Sequence, residues 1–235
     1  MTAAEPLRPD LARELSDRAM KAAARRAKRL RNQLDAVQLG QDRYADHADT
    51  KVLRRVLAEH DWPGHRLVGP DAARAAWSLA LHADDDADFQ RAATILLERA
   101  VQDGDARVQH WAHLYDRTLV NSGRPQEFGT QQVVATTGVE LCPVRALDSL
   151  DQRRSTVGLS PIAMALETVR RRFAQDHQAG DSSTVMSSDV CRRYWARFGD
   201  LRAQEADGDE RAERFTAALN RAAQAHKQEH PAAVS

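Results

Sequence analysis

The sequence predicts a mainly α protein: a helical bundle-like domain with one short β-hairpin and an appended C-terminal helical segment. Three observations predict it. Apolar residues recur at three-to-four spacing along most of the chain, the period of a helix with one buried face. The stretch Ala72–Leu81 is apolar on almost every face, the pattern of a helix enclosed by others. A turn signal flanked by β-prone residues occurs once, around Thr136-Thr137-Gly138.

The elements follow in order. From about Leu7 to Val37, a stripe of Leu11, Leu15, Met20, Ala23, Ala27, Leu30, Leu34 and Val37 predicts one amphipathic helix. Its other face carries Arg25, Arg26, Lys28, Arg29 and Arg31, which suits either a solvated face or a surface for phosphate or an acidic partner. Gly40 to Asp46 reads as a connection, so residues 1–45 form an N-terminal unit ahead of a main domain over 46–178. Asp49 is placed to cap a helix to His60 with Leu53, Val56 and Leu57 inward. Asp61-Trp62-Pro63-Gly64 is a turn, because Pro fixes φ and Gly permits positive φ. Asp71, after Gly69-Pro70, should cap the central helix.

That helix ends at His82, beside Asp84, Asp85, Asp86 and Asp88. Asp84, Asp85 and Asp88 have a spacing that can hold a metal-bound diphosphate when it lies on one helix face. Here they fall between helices with no second metal motif, so a solvated turn is expected, with Asp88 capping the next helix. Helices follow over Phe89–Gln102 and Ala106–Val120. Gly123–Gln131 is a Gly-, Pro- and Gln-rich loop, and Gln132–Ala135 with Val139–Val144 forms the hairpin. Asp148 and Ser160-Pro161 open two more helices, the second reaching about Gln175. Residues 179–235 read as a linker and two helices, the first presenting Cys191, Tyr194, Trp195, Phe198 and Leu201.

Composition narrows the function classes. Over 235 residues, 34 basic and 34 acidic side chains cancel, without the basic excess of a general nucleic-acid or membrane binder. Aromatic residues are too few for a base-stacking platform. Neither a signal-peptide core nor a membrane-length apolar run is found, and Cys142 and Cys191 form no CxxC, so a cytoplasmic protein with free thiols is expected. No GxSxG, Walker loop or GxGxxG is present. No cofactor is implied.

Four places could carry chemistry. His82 can be a helix-terminal histidine bonded to a free carbonyl, an acid/base or binding residue in a pocket, or a metal ligand. His110, His113 and Arg117 can share one helix face with Asp116 next to it. A metal reading would combine His82, His110, His113 and Asp116, but lacks a ligand set of convincing spacing. Gln126 and Gln131, flanked by Gly123 and Gly129, can either hold a small polar ligand or brace the helices. His226-Lys227-Gln228-Glu229-His230 has the spacing of an inverted zinc-peptidase motif, in a polar tail where a chance match is expected.

The order of short blocks resembles a bacterial family catalogued as domain of unknown function 6624. The blocks are Asp61-Trp62-Pro63, Leu67-Val68-Gly69, Ala76-Trp77, His82-Ala83-Asp84 and Phe89-Gln90. Leu114-Tyr115-Asp116-Arg117, Gly123-Arg124-Pro125-Gln126, Phe128-Gly129-Thr130-Gln131, Arg153-Arg154 and Val157-Gly158-Leu159 follow. The resemblance covers about Asp46 to Pro161. Asp61, Leu81 and Phe128 stand where the family pattern has Gly, Gln and Tyr. It implies no activity, but it places polar residues at helix ends and in a Gly-rich loop, where sites concentrate.

Two expectations result. In the first, the domain binds an unknown small molecule and is an enzyme candidate, with His82 and Asp116 as catalytic residues: His82 is the acid/base, Asp116 or Asp84 its orienting carboxylate, Arg117 an anchor for an anionic group, and Asp84, Gln90, Gln126 and Gln131 further binding residues, all converging in one cleft. In the second it is a non-catalytic module that binds a protein partner or a second copy through the basic N-terminal helix and the Tyr194, Trp195 and Phe198 face.

Overall fold

The computed structural model describes residues 5–31, 33–135 and 138–178. The linker, the two closing helices, the Tyr194–Phe198 face and the His226–His230 motif lie outside the described residues. Among the described residues the chain is mainly helical. The order is α1 (Pro9–Leu30), α2 (Ala36–His60), α3 (His65–Leu81), α4 (Ala87–Gln102), α5 (Val108–Asn121), β1 (Gln132–Ala135), β2 (Gly138–Leu141), a 3-10 turn Leu147–Ser149, α6 (Leu150–Thr156) and α7 (Ile162–Gln178).

The helix expected over Leu7–Val37 is two helices, and the connection expected at 40–46 lies inside α2. The cause is local. Asp35 accepts the Gln38 amide at 2.8 Å and the Gln38 side chain accepts the Asp35 amide at 3.0 Å, a reciprocal cap that starts a helix. Gly40 sits in that helix with open space where a Cβ would be, so nothing in the packing requires a break there.

α1 and α2 lie antiparallel and are joined by charge. Arg25 reaches Asp46 at 2.9 Å and Asp49 at 2.7 Å, Arg29 reaches Asp46 at 2.7 Å, and Arg18 reaches Asp49 at 3.0 Å. The basic face expected to be solvated or to meet an outside anion is thus largely matched by α2 acids.

α3 begins at Gly64, where Asp105 accepts the His65 amide at 2.9 Å through its carbonyl and the Arg66 amide at 2.8 Å through its carboxylate. The helix is kinked at Gly69, whose φ of 79° only glycine adopts readily. Pro70 then takes the first helical position, so Asp71 lies in the first turn and is not the expected cap. Val68, Ala72, Ala73, Ala76, Leu79 and Ala80 are buried, as the sequence pattern required. The small alanines let α1 pack closely alongside.

The direction of α1 follows from its contacts. Leu7 and Arg8 donate backbone hydrogen bonds to Arg66 and Leu67 near the start of α3. Arg26, near the end of α1, donates to Ser78 near the end of α3. The two helices therefore run the same way and finish together.

α4 is capped by Asp86, whose carboxylate accepts the Phe89 amide at 3.0 Å; Asp88, the expected cap, is exposed and pairs with Arg91. α4 and α5 are antiparallel, with the Thr94 and Thr118 hydroxyls 3.0 Å apart. Leu15, Leu53, Phe89, Leu97, Trp111, Leu114 and Phe128 fill the core between the helices.

The hairpin pairs Gln132 with Leu141 and Ala135 with Gly138 in antiparallel register. The preceding loop is fastened from the C-terminal side. Arg145 and Arg153 both pair with the buried Glu127, and Arg154 donates to the carbonyls of Ser160 (2.7 Å), Phe128 (2.5 Å) and Gly129 (3.3 Å). Among the described residues no helix is long and apolar enough to cross a membrane.

Candidate functional site

One end of the bundle collects the C-terminal ends of α1, α3 and α5 and the N-terminal ends of α2 and α4. Helix C-termini carry partial negative charge, which favours cations. Arg26 and Arg117 lie there, with His82 between them in the electrostatic sense: both guanidinium groups act on its ring.

A continuous network crosses this end. Arg117 grips Asp84 with two hydrogen bonds, Nε to Oδ1 at 2.8 Å and Nη2 to Oδ2 at 2.5 Å. Asn121, one turn after Arg117, donates to Asp84 Oδ1 at 3.0 Å and to Gln90 Oε1 at 2.5 Å. Gln90, fully buried on α4, donates to the carbonyls of Ala80 and Leu81 at 3.2 Å each and to Asp84 at 3.3 Å. In the other direction Arg117 donates to Gln131 Oε1 at 3.3 Å, and Gln131 donates to the His113 carbonyl and the Thr130 hydroxyl. Asp84, Gln90, Arg117 and Gln131 were expected in one place, and the fold brings them into one network.

The other predicted residues are held differently. Asp116 is fully buried and accepts the amides of Glu127 (2.8 Å), Phe128 (3.0 Å) and Thr130 (2.9 Å) and the Thr130 hydroxyl (2.9 Å). Its oxygens hold the Gly-rich loop in shape. Burial pushes the Asp116 carboxyl up to about 6, against the pull of those donors. Gln126, also fully buried, donates to the carbonyls of Gln131 (3.0 Å) and Cys142 (2.8 Å) and accepts the Gln131 amide. It joins the loop to the segment after β2.

His82 is the least constrained of the set. It is half-buried, and its ring has no hydrogen-bond partner among the described residues. Burial, then the charges of Arg26 and Arg117, push its imidazole down to about 3, so it is neutral near pH 7. For Asp84, burial alone would raise the carboxyl. The Arg117 guanidinium and the Asn121 amide outweigh it and hold the group below the usual carboxylate range.

A ring cluster stands further along α5. Trp77 stacks on His110 with centroids 4.4 Å apart, meets His113 edge-on at 5.9 Å, and donates its Nε1 hydrogen to the His110 carbonyl at 2.8 Å. Burial pushes both histidines down to about 4, with Arg107 adding to it at His110 and Arg154 at His113. Among the described residues no group of three or more His, Cys, Asp or Glu side chains is placed to hold a metal ion.

Of Arg26, Ser78 and Asn121, the sequence singled out none at this end of the bundle; Arg26 was named only as one of a basic face. A signal existed for two of them. Arg26 extends the buried stripe Leu15, Ala19, Ala22 at helical spacing, and Asn121 extends the stripe of His113 and Arg117. A polar residue that continues a buried stripe at a helix end faces other helices, and there it meets their ends.

No curated protein and no solved structure matches the chain. One family does match, over residues 9–174, a longer span than the block pattern suggested because it takes in α1 and most of α7. That family is described only as one of unknown function, and on a match over so much of its length the chain belongs to it: the family of unknown function DUF6624.

Proposed function

We propose that the domain binds a small polar molecule at the bundle end where His82, Asp84, Arg117 and Gln131 gather, with His82 as the group that meets the ligand. One contrast supports this. Asp84, Gln90, Arg117, Asn121 and Gln131 are joined in one hydrogen-bond network, while the His82 ring has no hydrogen-bond partner among the described residues. A rigid polar scaffold carrying an uncommitted imidazole is how binding and acid/base sites are built. Neutral His82 offers one acceptor and one donor nitrogen, and a bound anion would raise its pKa towards useful acid/base range.

In this reading Asp84 and Arg117 set the charge around His82, and Asp116, Gln90 and Gln126 maintain the walls. The alternative, an interaction module using the basic helix, has less support, because Arg25 and Arg29 are engaged by Asp46 and Asp49. The test is an amide and histidine-ring NMR screen of the full chain against amino acids, small carboxylates, sugars and nucleosides. At least one compound should shift the resonances of His82, Asp84, Arg117 and Asn121, and His82→Ala, still folded by circular dichroism, should bind it at least about tenfold more weakly. Shifts confined to other regions, or an unchanged affinity in His82→Ala, would remove the proposal.

A further inference from the structure

We propose that Arg26, Ser78 and His82 together form a seat for an oxyanion, so that the small molecule taken at this end of the bundle carries a carboxylate or phosphate group. The inference rests on the pocket reading above and adds the chemical class of ligand.

Its basis is a difference among neighbouring arginines. Arg25 and Arg29 each have a carboxylate oxygen at 2.7 Å. Arg26 has none within 4.0 Å among the described residues; its one hydrogen bond there is to the Ser78 hydroxyl at 3.3 Å. A guanidinium offers five N–H donors in a planar fork that fits two oxygens of an anion. Arg26 uses one of them, weakly, while half-buried between α1 and α3. Burial disfavours its charge, and Asp46 and Asp84 act on it only from beyond ion-pair distance, so this is a costly place to keep an arginine with no carboxylate in contact.

Ser78 and His82 are one helical turn apart, which places both on the same face of α3. The hydroxyl touches Arg26, and Arg26 is the largest charge acting on the His82 ring. The nearby carboxylates that could neutralise the spot are already engaged: Asp84 by Arg117, and Asp46 by Arg25 and Arg29. What remains is a guanidinium and a hydroxyl in contact, with an imidazole one helical turn further along, all able to donate. That donor set matches a tetrahedral or planar oxyanion.

The experiment titrates the full chain with inorganic phosphate and, separately, with acetate, observed by amide and histidine-ring NMR at constant ionic strength. At least one anion should bind saturably and shift Arg26, Ser78 and His82 together; the tighter of the two identifies the class. Arg26→Gln should weaken that binding at least about tenfold, and Arg26→Lys by less, since it keeps the charge and loses the fork. Circular dichroism of both variants establishes folding, and Arg26→Lys carries the test if Arg26→Gln does not fold. Equal affinity in the folded Gln variant, no shift at these three residues, or shifts only on the exposed Lys28 and Arg31 side overturns the inference. If neutral compounds bind beside His82 and neither anion does, the oxyanion seat is wrong while the pocket stands. If nothing binds there, both fall.

Discussion

The pH dependence of stability offers a direct check on the state of His82. Its ring is pushed from 6.5 to about 3 by burial and by Arg26 and Arg117. A lowered histidine pKa means that the unfolded chain takes up the proton first, so acid favours unfolding. The contribution of His82 to stability is therefore complete above about pH 6.5 and declines as the pH falls towards 3. At pH 5 the unfolded ring is largely protonated and the folded ring is not. A gap of about 1.5 pH units at about 1.4 kcal/mol per unit gives a loss of about 2 kcal/mol relative to pH 7.5. His82→Gln removes the titration and keeps a polar side chain of similar reach. Urea unfolding of both proteins at pH 7.5 and pH 5 isolates the effect, because every other titrating group cancels in the double difference. The variant should lose about 2 kcal/mol less than the parent across that interval. Parallel losses would refute the reasoning and mean that the His82 ring titrates alike in the folded and unfolded chains.

Four further outcomes follow from named contacts. Asp116→Ala strands three loop amides and a hydroxyl in a buried place, and should cost about 2–4 kcal/mol in urea unfolding, with amide exchange accelerated first at Glu127, Phe128 and Thr130. Asp61 sits at φ 56°, which strains any side chain, so Asp61→Gly should raise stability by about 0.5–1 kcal/mol; a loss would show that the Asp61 carboxylate has a role of its own. At Gly64 an added Cβ would lie 2.6 Å from the Asp105 carbonyl oxygen, and Gly64→Ala should lower the denaturation midpoint by about 2 kcal/mol or more. Arg26→Met keeps the length of the side chain and removes a buried charge; calorimetry should find stability unchanged or higher by about 1 kcal/mol, with anion binding lost.

The central helix, the Asp61–Gly64 turn, the hairpin and the Gly-rich loop were legible because each rests on local chemistry: apolar period, a Pro-Gly pair, a strand–turn–strand pattern. The division of α1 from α2 was also written locally, in Asp35 and Gln38, but the apolar stripe through Leu34 and Val37 ran across it and hid it. The same near-degeneracy moved the α4 cap from Asp88 to Asp86, since four clustered aspartates offer the same oxygen at different registers. The partner of Arg117 was not legible. Asp84 is 33 residues away, and only the antiparallel return of α4 and α5 brings the two side chains together. Arg26 could not be told from Arg25 or Arg29 either, because what separates them is which α2 acid each one reaches.

The polar residues of this fold divide by what they do with their hydrogen bonds. Asp116, Gln126 and Arg154 spend them on backbone groups of the loop, and each replaces contacts that water would otherwise make. Removing one leaves backbone donors or acceptors unmatched, so their presence is explained by folding alone. Arg26 and His82 have no such explanation. Each is drawn partly out of water, each has its charged form disfavoured by burial, and neither side chain forms a hydrogen bond or ion pair with a carboxylate or carbonyl among the described residues. A fold under no demand but stability would gain by placing apolar side chains there. Beside them Asp84 pairs with Arg117, and Asp46 is shared between Arg25 and Arg29. In the proposed reading, the residues that stability does not account for are the ones that meet a negatively charged ligand.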